Sequence, residues 1–386
     1  SLRTLERCMQ ETYTDCPFYE QLQYLHDARS QILFTYAVAA DDRLARQAID
    51  QFSRALRPDG TLNASYPCTE PNIIPGFSIY YILMLHDHMM WFGDRAFCMR
   101  YLPYVDAILG YFDRNLRADG LVGSLGGVNM GGRYWSFIDW SPAWQDTSGM
   151  PPAGTVGPLT CESLLYVLGL ERAADLAAWV GRADTAREYR DRAARVQEAL
   201  RARCRDAEGF FVDGPGVGQY SQHAQILAIL TGTVAPEEGA RLLGAALDDP
   251  ERFATCSIAF YLYLFRALEV TGLYGRTAGL WDLWRRMLDR HLTTCVENET
   301  SERSDCHAWG ALALYELPCV VLGVRPVEPG CTAIEVAPHA GGLAHAEGEV
   351  ATPRGMVKVA WTQAADGTFD LSCSGPKGVE LRVKEA

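Results

Sequence analysis

FSIYYILMLHDHMMWF at residues 77–92, a lone Gly93, then DRAFCMRYLPYVDAILGYFDRN at residues 94–115: this is the piece of the chain that decides the fold. Apolar residues recur at helical spacing on both sides of the glycine, so each side reads as a helix. A one-residue connection leaves the two helices no choice but to run antiparallel as a hairpin. The same pattern extends in both directions. Helical segments are predicted at 2–13, 28–39 and 43–56 before it, and at 161–181, 184–204, 221–231, 236–247, 257–271, 274–291 and 307–322 after it. Short turns at 40–42, 93, 182–183, 232–235 and 272–273 alternate strictly with longer loops at 14–27, 57–76, 116–160, 205–220, 248–256 and 292–306.

That alternation selects an architecture. Hairpins repeated around a ring put every long connection at one end, and twelve helices in six hairpins make an (α/α)6 toroid whose loop-bearing mouth is where function belongs. A helical solenoid is the other arrangement of repeated hairpins, but it requires self-similar sequence at a fixed period, and only the turns are similar here. After residue 322 the chemistry changes. Residues 324–330 contain Pro326, Pro329 and Gly330 and break any helix, and alternating runs at 332–336, 356–361, 369–373 and 379–383 read as strands. The three lysines of the chain, Lys358, Lys377 and Lys384, all fall in this part. The expectation is a mainly α chain with a barrel over 1–323 and a small β-sheet or sandwich unit over 324–386. The latter is too short to bury a core alone and is read as a structural cap.

Composition narrows the function. A net charge of −13 and a pI near 5.1, with no basic stripe, repel nucleic acid and anionic lipid, so neither is an expected partner. No apolar run reaches the roughly 18–20 residues that span a bilayer, and residues 1–13 lack the apolar core of a signal peptide. The residues give no cellular address, with a slight lean to the cytoplasm, and an opening inside an amphipathic pattern leaves room for a native region before Ser1. The twelve cysteines show no C-x-x-C pair and no zinc-ligand spacing, so they read as mostly buried thiols. Cys16, Cys295 and Cys306 lie close to the acidic segments described next, without a base partner that would make one a nucleophile.

Carboxylates concentrate on two of the long loops. The first runs Asp15-Cys16-Pro17-Phe18-Tyr19-Glu20-Gln21-Leu22-Gln23-Tyr24-Leu25-His26-Asp27, with no Lys or Arg until Arg29. Acids held together raise one another's pKa, which is how a glutamic acid stays protonated near neutrality to act as a general acid. If the chain is helical from Glu20 on, Glu20, Tyr24 and Asp27 share one face. The last long loop carries Glu297, Glu299, Glu302, Arg303 and Asp305 and is followed by His307 and Trp309. In a closed ring it faces the first loop, and the residues alone leave the choice among Glu297, Glu299 and Glu302 open. A third segment, Trp135-Ser136-Phe137-Ile138-Asp139-Trp140 with Trp144, sits in a loop that includes Gly131 and Gly132. Indole faces beside an acid suit a sugar, whose C–H faces stack while its hydroxyls donate to the carboxylate.

The spacing D-C-P-x-x-E-Q-L-x-Y-x-x-D at 15–27 is similar to a motif of the α-L-rhamnosidases, inverting glycoside hydrolases built on an (α/α)6 barrel. The similarity continues through Ile138-Asp139-Trp140, through Thr293-Thr294-x-x-Glu297 with 303–309, and through 323–330. It implies that Glu20 is the general acid and Glu297 the general base. It further implies that Asp15, Asp27 and Asp139 hold sugar hydroxyls, that Tyr24, Trp135 and Trp140 wall the pocket, and that His307 contacts the sugar. The substrate would be a terminal α-L-rhamnoside or a related neutral deoxyhexoside, and single displacement calls for neither metal nor organic cofactor. Other readings of the same barrel are hydrolysis of an unsaturated uronide, which requires cations at the mouth beyond Arg29, Arg133 and Arg303, and a carbohydrate-binding barrel without turnover. Many members have Arg where this chain has Phe18-Tyr19, and Gly where it has His26, so the lining is altered. Members usually carry N-terminal β-domains, and none is visible here.

Overall fold

The computed structural model of the chain describes residues 1–128, 134–299 and 303–384. Its helices are α1 (Leu2–Arg7), α2 (Leu25–Ala39), α3 (Arg43–Ser53), α4 (Phe77–Phe92), α5 (Arg95–Arg114), α6 (Thr160–Trp179) and α7 (Ala183–Arg203). They continue with α8 (Gln222–Leu230), α9 (Pro236–Asp248), α10 (Tyr261–Val270), α11 (Thr277–Leu280), α12 (Asp282–Asp289) and α13 (Ala313–Glu316). Helices α2, α4, α6, α8 and α10 are buried over nearly their whole circumference, which is why their sequences are apolar on every side. Each packs on the next, and α13 with its flanking turns returns to α2, closing an inner ring. Helices α3, α5, α7, α9 and α12 lie outside, each with one buried stripe and a charged outer face. This is the six-hairpin (α/α)6 toroid.

Four predicted helices come out differently: 257–271 opens with a 3₁₀ turn at Ile258–Phe260 before α10, 274–291 is a 3₁₀ turn at Tyr274–Arg276 followed by α11 and α12, and the first and last change more. The first ends at Arg7 rather than continuing to residue 13, because Tyr13 is drawn into the core, where its hydroxyl donates to Thr35 Oγ1 of α2 at 2.9 Å. Burial of a full tyrosine outweighs two further turns of marginal helix. The last, predicted over 307–322, is a 3₁₀ turn at Ala308–Ala311, then α13, then a π-turn at Leu317–Val321. Pro318 supplies no N–H to a regular ladder, and the wide turn carries the chain past it.

Beyond the ring, β3 (Val324–Pro326), β4 (Ala333–Val336) and β8 (Glu380–Val383) form one sheet, with β4 antiparallel to β3 and parallel to β8. A second, antiparallel sheet orders β5 (His345–Thr352), β6 (Gly355–Gln363) and β7 (Phe369–Ser374). The predicted runs at 332–336, 356–361, 369–373 and 379–383 fall within β4, β6, β7 and β8 or extend them by a residue. β3 and β5 were not legible, β5 because its first inward-facing positions are Ala346 and Gly348, too small to mark an apolar face. Elsewhere Tyr220–Ser221 (β1) pairs in parallel with Phe253–Ala254 (β2), tying two long loops together.

The sheets are fastened to the ring rather than tethered beside it. Gly323, at φ +78°, turns the chain out of the last inner segment where a Cβ would lie 2.3 Å from the Ala337 carbonyl carbon. Trp361 is buried and donates from Nε1 to the Val321 carbonyl at 2.9 Å. A buried ion network completes the join. Arg266 of α10 donates to both oxygens of Glu316 at 2.6 Å and to Glu269 at 2.7 Å, Tyr274 also donates to Glu316, and Arg325 of β3 pairs with Glu269 and Glu335.

Breaking a buried pair by removing one partner leaves the other charge uncompensated, at a cost of about 3–5 kcal/mol. With Glu269 still beside Arg266, Glu316→Ala is expected at the lower end, about 3 kcal/mol in urea unfolding. Lys358→Ala, which removes an exposed pair with Glu349, is expected to change stability by no more than about 1 kcal/mol. Equal midpoints for the two variants would mean that the network contributes nothing.

Candidate active site

A cavity of ≈ 380 Å³ opens at the long-loop mouth of the ring. Its lining comes from four of the long loops: Asp15, Glu20 and Tyr24 with Asp27 at the start of α2; Ile74 with Phe77 at the start of α4; Trp135, Phe137, Trp140 and Gln145; and Glu297, Asn298 and Arg303 with His307 and Trp309. The other two long loops are joined to each other by the β1–β2 pair, and Ser257, just after the second, donates to Asp139.

The first loop is not helical from Glu20. It turns at Gln21, φ +55°, and α2 begins at Leu25 behind Tyr24. Glu20 and Tyr24 therefore reach the cavity from irregular backbone, and Asp27 reaches it from the first turn of the helix. Asp15 anchors the loop: one carboxylate oxygen accepts the Leu22 N–H at 2.8 Å, and its carbonyl accepts the Ala308 N–H at 2.9 Å, where the chain's last inner segment meets its first loop. Burial pushes the Asp15 carboxyl up, with nearby His307 pulling the other way. Cys16 donates to Glu20 Oε2 at 3.3 Å, and burial pushes its thiol up to about 11, so it is a protonated donor and no nucleophile.

From the last loop, Glu297 is held by its backbone, N–H to the Ser304 carbonyl at 2.8 Å and carbonyl to Trp309 Nε1 at 2.7 Å. Its carboxyl is raised, first by burial. Arg303 donates from Nε to Glu297 at 3.2 Å and from a terminal nitrogen to Glu20. The two carboxylates, 277 positions apart in the chain, thus meet on one guanidinium, whose other face lies over the Tyr19 ring at 5.1 Å. Glu299 does not line the cavity, while Glu302, Gly131, Gly132 and Arg133 lie outside the described residues.

Asp27 and His307 face each other at 3.0 Å, both buried. Burial raises the Asp27 carboxyl to about 8 and lowers the His307 imidazole to about 4. Between those limits the pair is electrically neutral, a hydrogen bond sharing a proton rather than an exposed-type salt bridge. His307 also stacks on Trp309, ring centroids 3.8 Å apart. Trp135, Phe137 and Trp140 form an edge-to-face cluster on the opposite wall.

One expected contact is corrected. Asp139 does not reach the cavity: its side chain is 0% exposed and its oxygens are taken by Trp140 N–H, the Ser257 hydroxyl and N–H, and His223 Nε2, at 2.6–2.9 Å. A fully bonded carboxylate has no lone pair left for a sugar hydroxyl, and Asp139 instead positions Trp140. His26 likewise does not alter the lining. It is buried among Phe77, Tyr80, Tyr263 and Trp309, with its imidazole lowered to about 4 by burial. Conversely, Phe77, Phe137, Gln145, Asn298, Arg303 and Trp309 line the cavity without having been singled out. Arg303 and Trp309 stood inside a quoted motif, whereas nothing local marks Gln145. Two trios have metal-ligand side chains within 4.8 Å of one another, Asp15–Cys16–His307 and Asp139–His223–Cys256. In the first trio all three side chains are already hydrogen-bonded to protein, in the second Asp139 and His223 are bonded to each other, and burial raises both thiols.

A closed ring of six helix hairpins with carboxylates and indoles around one sugar-sized cavity defines the six-hairpin glycosidase class of protein. Within it, residues 1–252 match the bacterial α-L-rhamnosidase six-hairpin glycosidase domain and residues 323–384 match the bacterial α-L-rhamnosidase C-terminal domain. The chain belongs to the bacterial α-L-rhamnosidase family. An α-L-rhamnosidase of Alteromonas sp. (strain LOR) is 29% identical over 119 residues, 30% of this chain and 12% of that protein. A crystal structure of the GH78 family rhamnosidase of Bacillus sp. GL1 superposes with a TM-score of 0.86 at 26% identity, covering 99% of this chain and 40% of that one. The Streptomyces avermitilis α-L-rhamnosidase complexed with L-rhamnose shares the fold, with a TM-score of 0.75 at 19% identity over 99% of this chain and 37% of that one. The chain thus spans less than half the length of these relatives.

The Asp27–His307 pair ties stability to pH. Asp27 is raised from its ordinary 3.8, so its contribution is present at low pH and lost as pH rises through about 8. His307 is lowered from 6.5, so its contribution grows as pH rises from about 4 to 6.5. The two oppose each other up to about pH 6.5, and above it only the Asp27 loss remains. Unfolding free energy is expected to fall by about 2 kcal/mol more between pH 6.5 and 8 in the unaltered chain than in Asp27→Asn. Parallel pH profiles from denaturant titrations would show that Asp27 is ionised in the folded chain.

Proposed function

We propose that this chain hydrolyses terminal α-L-rhamnosides by single displacement with inversion. The observation that carries the reading is the meeting of Glu20 and Glu297 in one aromatic-walled cavity with Asp15, Asp27 and His307. In this mechanism Glu20 protonates the departing glycosidic oxygen while Glu297 takes a proton from a water attacking the anomeric carbon on the opposite face. A carboxylate raised by burial is the stronger base, which suits Glu297. Asp15, Tyr24, Asp27 and His307 are the hydrogen-bonding groups for the sugar, and Trp135 and Trp140 the surfaces for its C–H face. Family membership supports rhamnose as the sugar, as does L-rhamnose in the Streptomyces avermitilis relative.

Arg303 holds Glu20 and Glu297 on one guanidinium, which fixes the two carboxylates relative to each other. Arg303 is the one cation among the described lining residues and is spent on these two acids, which favours a neutral sugar over a uronate.

Glu20→Gln and Glu297→Gln are each expected to lower turnover of an aryl α-L-rhamnoside by about 10²–10⁴ with the fold retained. NMR of the first product should find the β-anomer of L-rhamnose. Near-normal turnover in either variant would remove that residue from the mechanism, and an α-anomer first would remove inversion.

A further inference from the structure

Cys8 and Cys306 play no part in the chemistry so far, yet they meet where the ring closes. Cys8 follows α1 and is fully buried, while Cys306 is half-buried and stands immediately before His307, 298 positions further along the chain. The two thiols are in hydrogen-bonding contact. Their backbones are pinned around that contact. Cys8 Sγ lies 3.6 Å from the Asp15 carbonyl oxygen, the same oxygen that accepts the Ala308 N–H. The Cys8 carbonyl accepts the Thr14 N–H at 2.8 Å, the Cys306 carbonyl accepts the Ser304 hydroxyl at 3.0 Å, and the His307 N–H donates to the Cys295 carbonyl at 2.8 Å. Two sulfurs already in contact reach bonding distance by turning side chains, not by moving chain segments.

The pair is also graded in reactivity. Contact with the Cys8 thiol lowers the Cys306 thiol, and Arg7 acts in the same direction, whereas Cys8 is raised by that contact and by burial. Cys306 is therefore both the better thiolate and the one that solvent reaches, the combination that thiol–disulfide exchange selects. Buried thiols elsewhere lack it: burial pushes Cys16 up to about 11 and Cys98 up to about 12. We propose that Cys8 and Cys306 form a thiol–disulfide exchange site that staples the first segment of the ring to the last, with a low-molecular-weight disulfide as oxidant. The Cys306 thiolate attacks one sulfur of that disulfide and releases the first small thiolate, leaving a mixed disulfide. Cys8, freed of the neighbouring thiolate that held its proton, loses the proton and attacks the Cys306 sulfur, which releases the second. Two protein thiols become one bond, and the small disulfide is reduced to two thiols. A cross-link over 298 positions restricts the unfolded chain strongly, and it does so at the closure itself.

The test treats the purified chain with glutathione disulfide, alkylates the remaining thiols in denaturant and maps the peptides by mass. The expected product joins the peptides that carry Cys8 and Cys306. Its thermal midpoint should lie about 3–5 °C above that of the reduced chain, and dithiothreitol should reverse the shift. Cys306→Ser, at the half-buried position, should abolish both the joined peptide and the rise. In Cys8→Ser, Cys306 should instead hold glutathione as a mixed disulfide. No joined peptide in the unaltered chain, or Cys306 joined to Cys16 or Cys295, overturns the site. A joined pair whose midpoint does not rise overturns the staple. None of these readouts involves a glycoside, so they hold whether or not the chain cleaves rhamnosides.

Discussion

The structure depends on closing a ring. Inner helices that are apolar on every side cannot face water, so the last inner segment must return to the first and shut the core. The closure is made by specific bonds: Ala308 N–H to the Asp15 carbonyl at 2.9 Å, Cys295 N–H to Thr4 Oγ1 at 2.9 Å, and His307 to Asp27 at 3.0 Å. Two of the three involve residues that line the cavity. Core closure and site assembly are therefore one event, and a chain whose ring is open has no site.

The same geometry sets the electrostatics. Four carboxyl groups converge on one cavity with one guanidinium among the described lining residues, an arrangement that ionised, solvated acids would resist. Burial relieves it. Asp15, Asp27 and Glu297 are all shifted toward their neutral forms, His307 is kept uncharged, and Arg303 neutralises the remaining charge on Glu20 and Glu297. With Asp27 held neutral below about pH 8, the four acids do not all carry charge at once.

Around this centre lies support that touches no ligand. Asp139, bonded through both oxygens to Ser257, His223 and the Trp140 backbone, ties the loop that carries the aromatic wall to α8 and to the turn leading into α10. On the far side of the ring, the Arg266–Glu316–Glu269–Arg325 network fixes the small sheets to the last inner segment. A positioning carboxylate and a cavity-lining one are indistinguishable as letters in a sequence, and what separates them is whether their lone pairs are already used.

Local pattern determined much of this protein by itself. Helical periodicity and one-to-four-residue turns depend on neighbours, so the hairpins, their alternation and the identity of the loop-bearing end were legible, as was the spacing of Asp15, Glu20 and Asp27. What only the tertiary structure decided are the relations between distant residues. Tyr13 cuts the first helix short because its partner is Thr35; Asp139 turns inward because its partners are His223 and Ser257; Glu297 rather than Glu299 lines the cavity because of how its loop is pinned to Ser304 and Trp309. Arg303 bridges Glu20 across 283 positions, a contact no local window contains. Free energy of burial and hydrogen bonding is a property of surroundings, and for these residues the surroundings exist only once the ring has closed.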